Sequence, residues 1–156
     1  MQTINRDIEI PIAWSWVELV RQTVRSELAA CDEALREAAI MVASELAENV
    51  VKHGVPLGTM QTGRIQLRLE DGVLQISSTN GVRDTERVER LSALLARLAA
   101  AADPCALYLQ RLRELVAMPD QPETQAGIYR IVCEGGFSLS QHYVDGVLTL
   151  RAERPV

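Results

Sequence analysis

The apolar positions of the chain recur at two periods, and each period predicts a different kind of element. Spacings of three and four, typical of one face of an α-helix, predict helices over residues 14–30, from the cap Asp32 to about His53, and over 84–101. Alternation of polar and apolar residues, typical of strands, occurs over residues 6–11, 64–69, 73–77, 137–143 and 147–151. Two shorter helices, Pro104–Ala117 and Gly127–Cys133, flank a predicted loop over Met118–Thr124.

Turn signals join the strands into hairpins. Asp71-Gly72 and Asp145-Gly146 each separate two alternating segments by two residues, which is typical of a tight β-hairpin. Strands linked by hairpins and helices grouped in blocks predict an α+β fold in which one face of a mixed, mostly antiparallel sheet is covered by helices. We expect one domain over residues 1–156, and a homodimer would cover the other face of the sheet.

Composition narrows the function classes. The net charge of -5 argues against a general nucleic-acid binder, which should carry a basic excess. The start MQTINRDIEIPIAW has no basic region followed by an apolar run, so we expect no signal peptide. No apolar segment approaches the length of a membrane span, so the sequence predicts a cytoplasmic protein with no membrane partner.

The spacing of the cysteine and histidine residues gives little indication of a metal site or a disulfide. Cys31, Cys105 and Cys133 are widely separated, odd in number and without a CxxC pair, which favours buried or inert thiols over a disulfide or a metal site. His142 lies in a predicted strand and is interpreted as a residue of the sheet.

The end of the second helix carries an unusual set of polar groups. With about 100° per residue, Leu35, Val42, Leu46 and His53 share the buried stripe and Asn49 falls inside it. Glu45 and Lys52 fall along one edge of the stripe, whereas Glu48 points to the surface.

Two interpretations of that edge stay open. In the first, Asn49 caps a loop, Lys52 pairs with Glu48, and His53 bonds a carbonyl at the helix end. In the second, the edge faces a polar cavity. A carboxylate and an amide oxygen one turn apart suit Mg²⁺, which prefers oxygen ligands, and the lysine would meet a phosphate.

The pattern Glu45-xxx-Asn49-xx-Lys52-His53 resembles the N-box of the GHKL (histidine-kinase-like) ATPase superfamily. The order of elements is similar to that of stand-alone serine kinases of bacterial partner switching: SpoIIAB- and RsbW-like anti-sigma factors and, nearest, SiaB-type kinases. The resemblance implies a Bergerat-type two-layer sandwich that binds ATP and Mg²⁺. It also implies a STAS-domain or sigma-factor-like protein as partner.

The resemblance assigns roles residue by residue. The position matched by Glu45 acts as general base, the position matched by Asn49 ligates Mg²⁺, and Lys52 lies near the phosphates with His53 beside it. The family motif Asp-x-Gly-x-Gly corresponds to Thr79-Asn80-Gly81-Val82-Arg83, in which Thr79 replaces the adenine-reading Asp. A threonine hydroxyl can accept a hydrogen bond from the adenine amine, although it lacks the negative charge of the aspartate.

Two further segments depart from the family pattern or extend it. The motif Gly-x-Gly-Leu-Gly survives as Gln125-Ala126-Gly127-Ile128, where Gly127 opens a helix whose N-terminus would face a phosphate. Residues 84–125 form a helical insert where the family places its ATP lid. The insert's arginines would contact phosphate or form a solvated basic face; they are Arg87, Arg90, Arg97, Arg111 and Arg113.

The sequence therefore supports two functions. The intact N-box predicts a Mg²⁺-ATP-dependent serine/threonine kinase. The eroded glycine motifs suit a non-catalytic module of the same fold that docks a partner as a regulatory subunit.

Overall fold

The structure, a computed structural model, describes residues 2–121 and 125–156, so the last residues of the predicted 118–124 loop lie outside it. Its elements follow the predicted order. They are β1 (Ile4–Ile10), α1 (Ser15–Glu27), α2 (Glu33–His53), β2 (Gly63–Glu70), β3 (Val73–Gly81), α3 (Thr85–Ala100), α4 (Pro104–Ala117), α5 (Ala126–Cys133), β4 (Ser138–Val144) and β5 (Val147–Pro155).

The strands form one sheet in the order β1-β2-β3-β5-β4. All four pairings are antiparallel, so the predicted mixed sheet has no parallel pair among the described strands. Both predicted hairpin turns are confirmed. Asp71 and Asp145 have positive φ angles of 50° and 53°, and the glycine after each is also left-handed, as a two-residue hairpin turn requires.

The helices cover one face of the sheet, which confirms the predicted α+β class. Alternate strand residues such as Ile65, Leu67 and Ile76 are fully buried against the helix layer, mainly beneath α2. The residues that alternate with them along each strand form the opposite face of the sheet. One row of cross-strand partners on that face consists of Glu9, Arg64, Thr79, Thr149 and His142. That face is polar, and His142 lies on it as a strand residue, as predicted.

The insert divides into a packed helix and an outer one. The apolar stripe of α3 is buried, with Leu91 only 2% exposed, and the helix contacts β4. In α4 no described residue is buried; its main contacts are with α5, and Leu109, Leu112 and Val116 face outward. Within the described parts of the chain, no helix combines the length and apolar character needed to span a membrane.

The expectation of inert thiols is wrong for two of the three cysteines. Cys105, near the start of α4, and Cys133, at the end of α5, form a disulfide with Cα atoms 4.9 Å apart. Cys31 is half-buried and has a free thiol. The two bonded cysteines are 28 residues apart in sequence, so only the packing of α4 on α5 brings them together.

We expect reduction of this disulfide to lower the free energy of unfolding by about 3–4 kcal/mol, since the cross-link restricts the unfolded chain. Urea unfolding of the full chain with and without a dithiol reductant measures the effect. The variant Cys105→Ser should be as unstable as the reduced wild type and indifferent to reductant. Cys31→Ser should keep the full response, and loss of the response in that variant would show that the bond lies elsewhere.

Candidate functional site

A cavity of about 180 Å³ lies where the C-terminal half of α2 meets α3 and the start of α5. Five sequence-predicted site residues line it: Glu45, Asn49, Lys52, His53 and Gly127. Further lining comes from α3 and from the segment that opens α5, through Arg87, Leu91, Gln125, Ala126 and Ile128. The edge predicted from helical angles therefore faces a polar cavity, as the second interpretation requires.

Local sequence explains how α2 presents this edge. Its first turn is capped by the Asp32 carboxylate, which accepts a hydrogen bond of 3.2 Å from the backbone N–H of Leu35. Leu46 and Val50 are fully buried and fix the rotation of the helix. Glu48, predicted to be surface, is half-buried.

Glu45 is held by an ion pair with the last helix. Its Oε1 accepts a hydrogen bond of 3.1 Å from Nη1 of Arg130, and Nε of Arg130 donates to Oε2 of Glu134 over 2.7 Å. The other carboxylate oxygen of Glu45 lies against Gly127, where a Cβ atom would overlap it. The absence of a side chain at Gly127 therefore lets the Glu45 carboxylate approach the backbone closely. The carboxylate lies beside the first turn of α5, where the helix dipole favours negative charge.

Burial dominates the acidity of Glu45. The pKa of the carboxyl is raised above its ordinary value of 4.5, first by burial and second by the negative charge of Glu48. The hydrogen bond and charge of Arg130, with the charge of Lys52, oppose that rise. A raised pKa makes the ionised carboxylate a stronger proton acceptor than an ordinary glutamate.

Asn49 and Lys52 do not follow the first interpretation. In the parts of the chain that the structure describes, no hydrogen bond engages the half-buried Asn49 carboxamide and no salt bridge joins Lys52 to Glu48. The Lys52 ammonium lies instead 5.9 Å from the centroid of the Trp14 ring, a cation–π contact. Both groups are available to a ligand in the cavity.

The second predicted motif lies apart from this cavity. Thr79 faces the open side of the sheet, where its Oγ1 is 3.3 Å from Oγ1 of Thr149, and it lines a separate groove of about 450 Å³. Asn80 is buried on the helix side and donates a hydrogen bond of 3.1 Å to the carbonyl of Gly81. Gly81 also pairs with Val55, whose N–H donates to its carbonyl over 2.9 Å.

Two residues of the site were not predicted. Arg130 is 85 positions from Glu45, and only its spacing of four from Glu134 gave a local signal of an ion pair. In the sequence, Trp14 is an ordinary residue at the start of a helix, and no residue near it in the chain indicates a contact with Lys52.

The donor set fits Mg²⁺ only together with a ligand. In the described ranges no cluster of His, Cys, Asp or Glu could hold a metal ion by itself. Asn49 offers one neutral oxygen, while the Glu45 carboxylate is engaged by Arg130. Since Mg²⁺ is commonly bound by one or two protein oxygens plus phosphates and water, Asn49 fits an ion that arrives with a phosphate.

The raised pKa of Glu45 predicts a pH-dependent cost to stability. Because the folded state binds the proton more tightly than the unfolded state, stability is highest below the ordinary carboxyl pKa and is lost as pH rises through the raised value. Glu45→Gln mimics the protonated group, so its unfolding free energy should exceed that of the wild type at neutral pH and converge with it at about pH 4. Urea unfolding across that range tests this.

The control is Glu37→Gln, an exposed carboxylate on the same helix, which should follow the wild-type curve. Equal pH profiles for Glu45→Gln and the wild type would contradict the assigned cause.

The site thus combines a carboxylate, an amide, an ammonium and a helix start around a cavity of about 180 Å³. No model of a known protein family matches the chain, and no curated protein matches it either.

Proposed function

We propose that the protein is a Mg²⁺-ATP-dependent serine/threonine kinase of the partner-switching type, acting on a STAS-domain or sigma-factor-like protein. One observation carries the proposal: Glu45, Asn49, Lys52 and the first turn of α5 at Gly127 line one cavity. Phosphoryl transfer is catalysed mainly by positioning and by neutralising charge, and these groups supply both. The resemblance of the N-box to GHKL kinases supplies the substrate class.

Each side chain has a defined task in this proposal. Glu45 accepts the proton of the attacking hydroxyl, for which burial has raised its pKa. Asn49 holds Mg²⁺, which neutralises charge on the phosphates when bound. Lys52 and the N–H groups at the start of α5 stabilise negative charge on the transferring group.

Size and location limit how a nucleotide can bind. Pockets for small ligands usually enclose about 300–1,000 Å³, more than the 180 Å³ found here. The cavity therefore accommodates phosphate groups, while the rest of the nucleotide lies outside it or α3 moves outward. Arg87 and Leu91 of α3 line the cavity, which supports the proposal that the insert acts as a lid.

A second candidate is a non-catalytic module that docks a partner. It is favoured by the Glu45–Arg130 ion pair, which places a carboxylate at the helix start where a phosphate would bind. The exposed side chains of Leu109, Leu112 and Val116 on α4 supply an apolar stripe for such a partner. The Cys105–Cys133 disulfide is also unusual for a cytoplasmic kinase, because cytosolic thiols are usually kept reduced.

For the kinase, we expect phosphoserine or phosphothreonine on a STAS-domain protein incubated with the chain and Mg-ATP. Asn49→Ala should reduce the rate by roughly a hundredfold, since it removes a group that helps stabilise the transferring charge. Phosphopeptide mass spectrometry and a time course measure both effects. Asn5→Ala, at an exposed position of β1, is the matched control and should be fully active. Absence of the phosphorylated product with wild type would refute the proposal.

The two candidates also differ in nucleotide binding. Calorimetric titration with Mg-ATP and Mg-ADP should give micromolar affinity if the chain is a kinase, and Asn49→Ala should weaken it. A flat titration, together with stoichiometric binding of the STAS-domain protein, would establish the non-catalytic module instead.

A further inference from the structure

The chain places one of its few aromatic side chains in solvent. It contains one Phe, two Trp and three Tyr. Five of these are buried or half-buried: Phe137, Tyr129, Trp16, Tyr108 and Tyr143. Trp14 is 56% exposed. Since a Trp side chain stabilises a fold mainly by being buried, its exposure in an aromatic-poor chain indicates a role outside the core.

The packing of the first two helices places Trp14 next to Lys52, near the end of α2. Helix α1 packs along α2 and begins at Ser15, close to where α2 ends. The Lys52 ammonium bridges the two features, since it lies 5.9 Å from the Trp14 ring centroid and Lys52 also lines the cavity. The indole therefore contacts a side chain that lines the cavity.

Among the described aromatic side chains, Trp14 alone is mostly exposed to solvent. Tyr108 and Tyr129 stack on each other with centroids 6.3 Å apart, and the Tyr143 hydroxyl donates to the carbonyl of Val82. Thr79, which the family resemblance assigns to adenine, lies on the opposite face of the sheet beside Thr149.

Resting on the proposed function, we propose that Trp14 stacks on the base of a nucleotide whose phosphates occupy the cavity. The cavity of about 180 Å³ leaves the base outside, and the exposed indole face is the surface available to it. Lys52 then exchanges its contact with the ring for the phosphates. Because every base has a π-face, such a site accepts adenine and guanine nucleotides with similar affinity.

The test compares three ligands on the full chain by calorimetry: Mg-ATP, Mg-GTP and Mg-tripolyphosphate, which has the phosphates but no base. Wild type should bind ATP and GTP within a few-fold of each other. Trp14→Ala should weaken both by roughly tenfold, the usual scale of one stacked base, and leave tripolyphosphate unchanged. Trp14→Phe, which keeps a smaller ring, should recover most of the loss.

Two controls isolate the indole. Leu19→Ala removes an apolar side chain of α1 that is 40% exposed, and it should not affect binding. In a Trp16→Phe background, Trp14 is the one remaining indole, and its fluorescence should change with ATP and GTP more than with tripolyphosphate. Circular dichroism confirms that each variant is folded.

The outcomes separate this proposal from the proposed function. If wild type binds ATP and Trp14→Ala binds it equally well, the stacking proposal is wrong and the nucleotide site stands. Equal weakening of tripolyphosphate would also refute stacking, since Trp14 would then act through Lys52. If neither ATP nor tripolyphosphate binds wild type, the proposed function fails and the stacking proposal with it.

Discussion

The close packing of α2 against the sheet determines where everything else in this protein lies. Ala39, Ala43 and Ala47 are fully buried at intervals of one turn, and such small side chains let neighbouring elements approach the helix closely. Larger residues beside them, such as Leu46, fill the space between the layers. With this face of α2 buried, its polar edge is directed at the junction with α3 and α5.

Local signals predicted the elements well, since helix period, Asp-Gly turns and the Asp32 cap each depend on neighbouring residues. The polar edge at Glu45, Asn49 and Lys52 was also predictable, because the angle between positions on one helix is fixed. Contacts between distant segments were not: the Cys105–Cys133 bond and the Glu45–Arg130 pair need tertiary packing.

Thr79 shows how a motif comparison and a strand pattern can disagree. Along β3 the buried residues Leu74 and Ile76 define which alternate positions face the helices, and Asn80 belongs to that set. Thr79 belongs to the other set, because one residue along a strand reverses the direction of the side chain. The predicted strand ended at residue 77, whereas β3 continues to Gly81, so the alternation at Thr79 and Asn80 became evident only in the structure.

The disulfide restricts the movement of α4 but not that of α3. With Cys105 and Cys133 bonded, the start of α4 can turn about the end of α5 but cannot move away from it. Helix α3 has no such tether among the described residues and carries Arg87 and Leu91 at the cavity. A displacement of α3 would therefore widen the cavity without breaking the disulfide. A backbone cut between α4 and α5 would leave both helices on one covalent molecule.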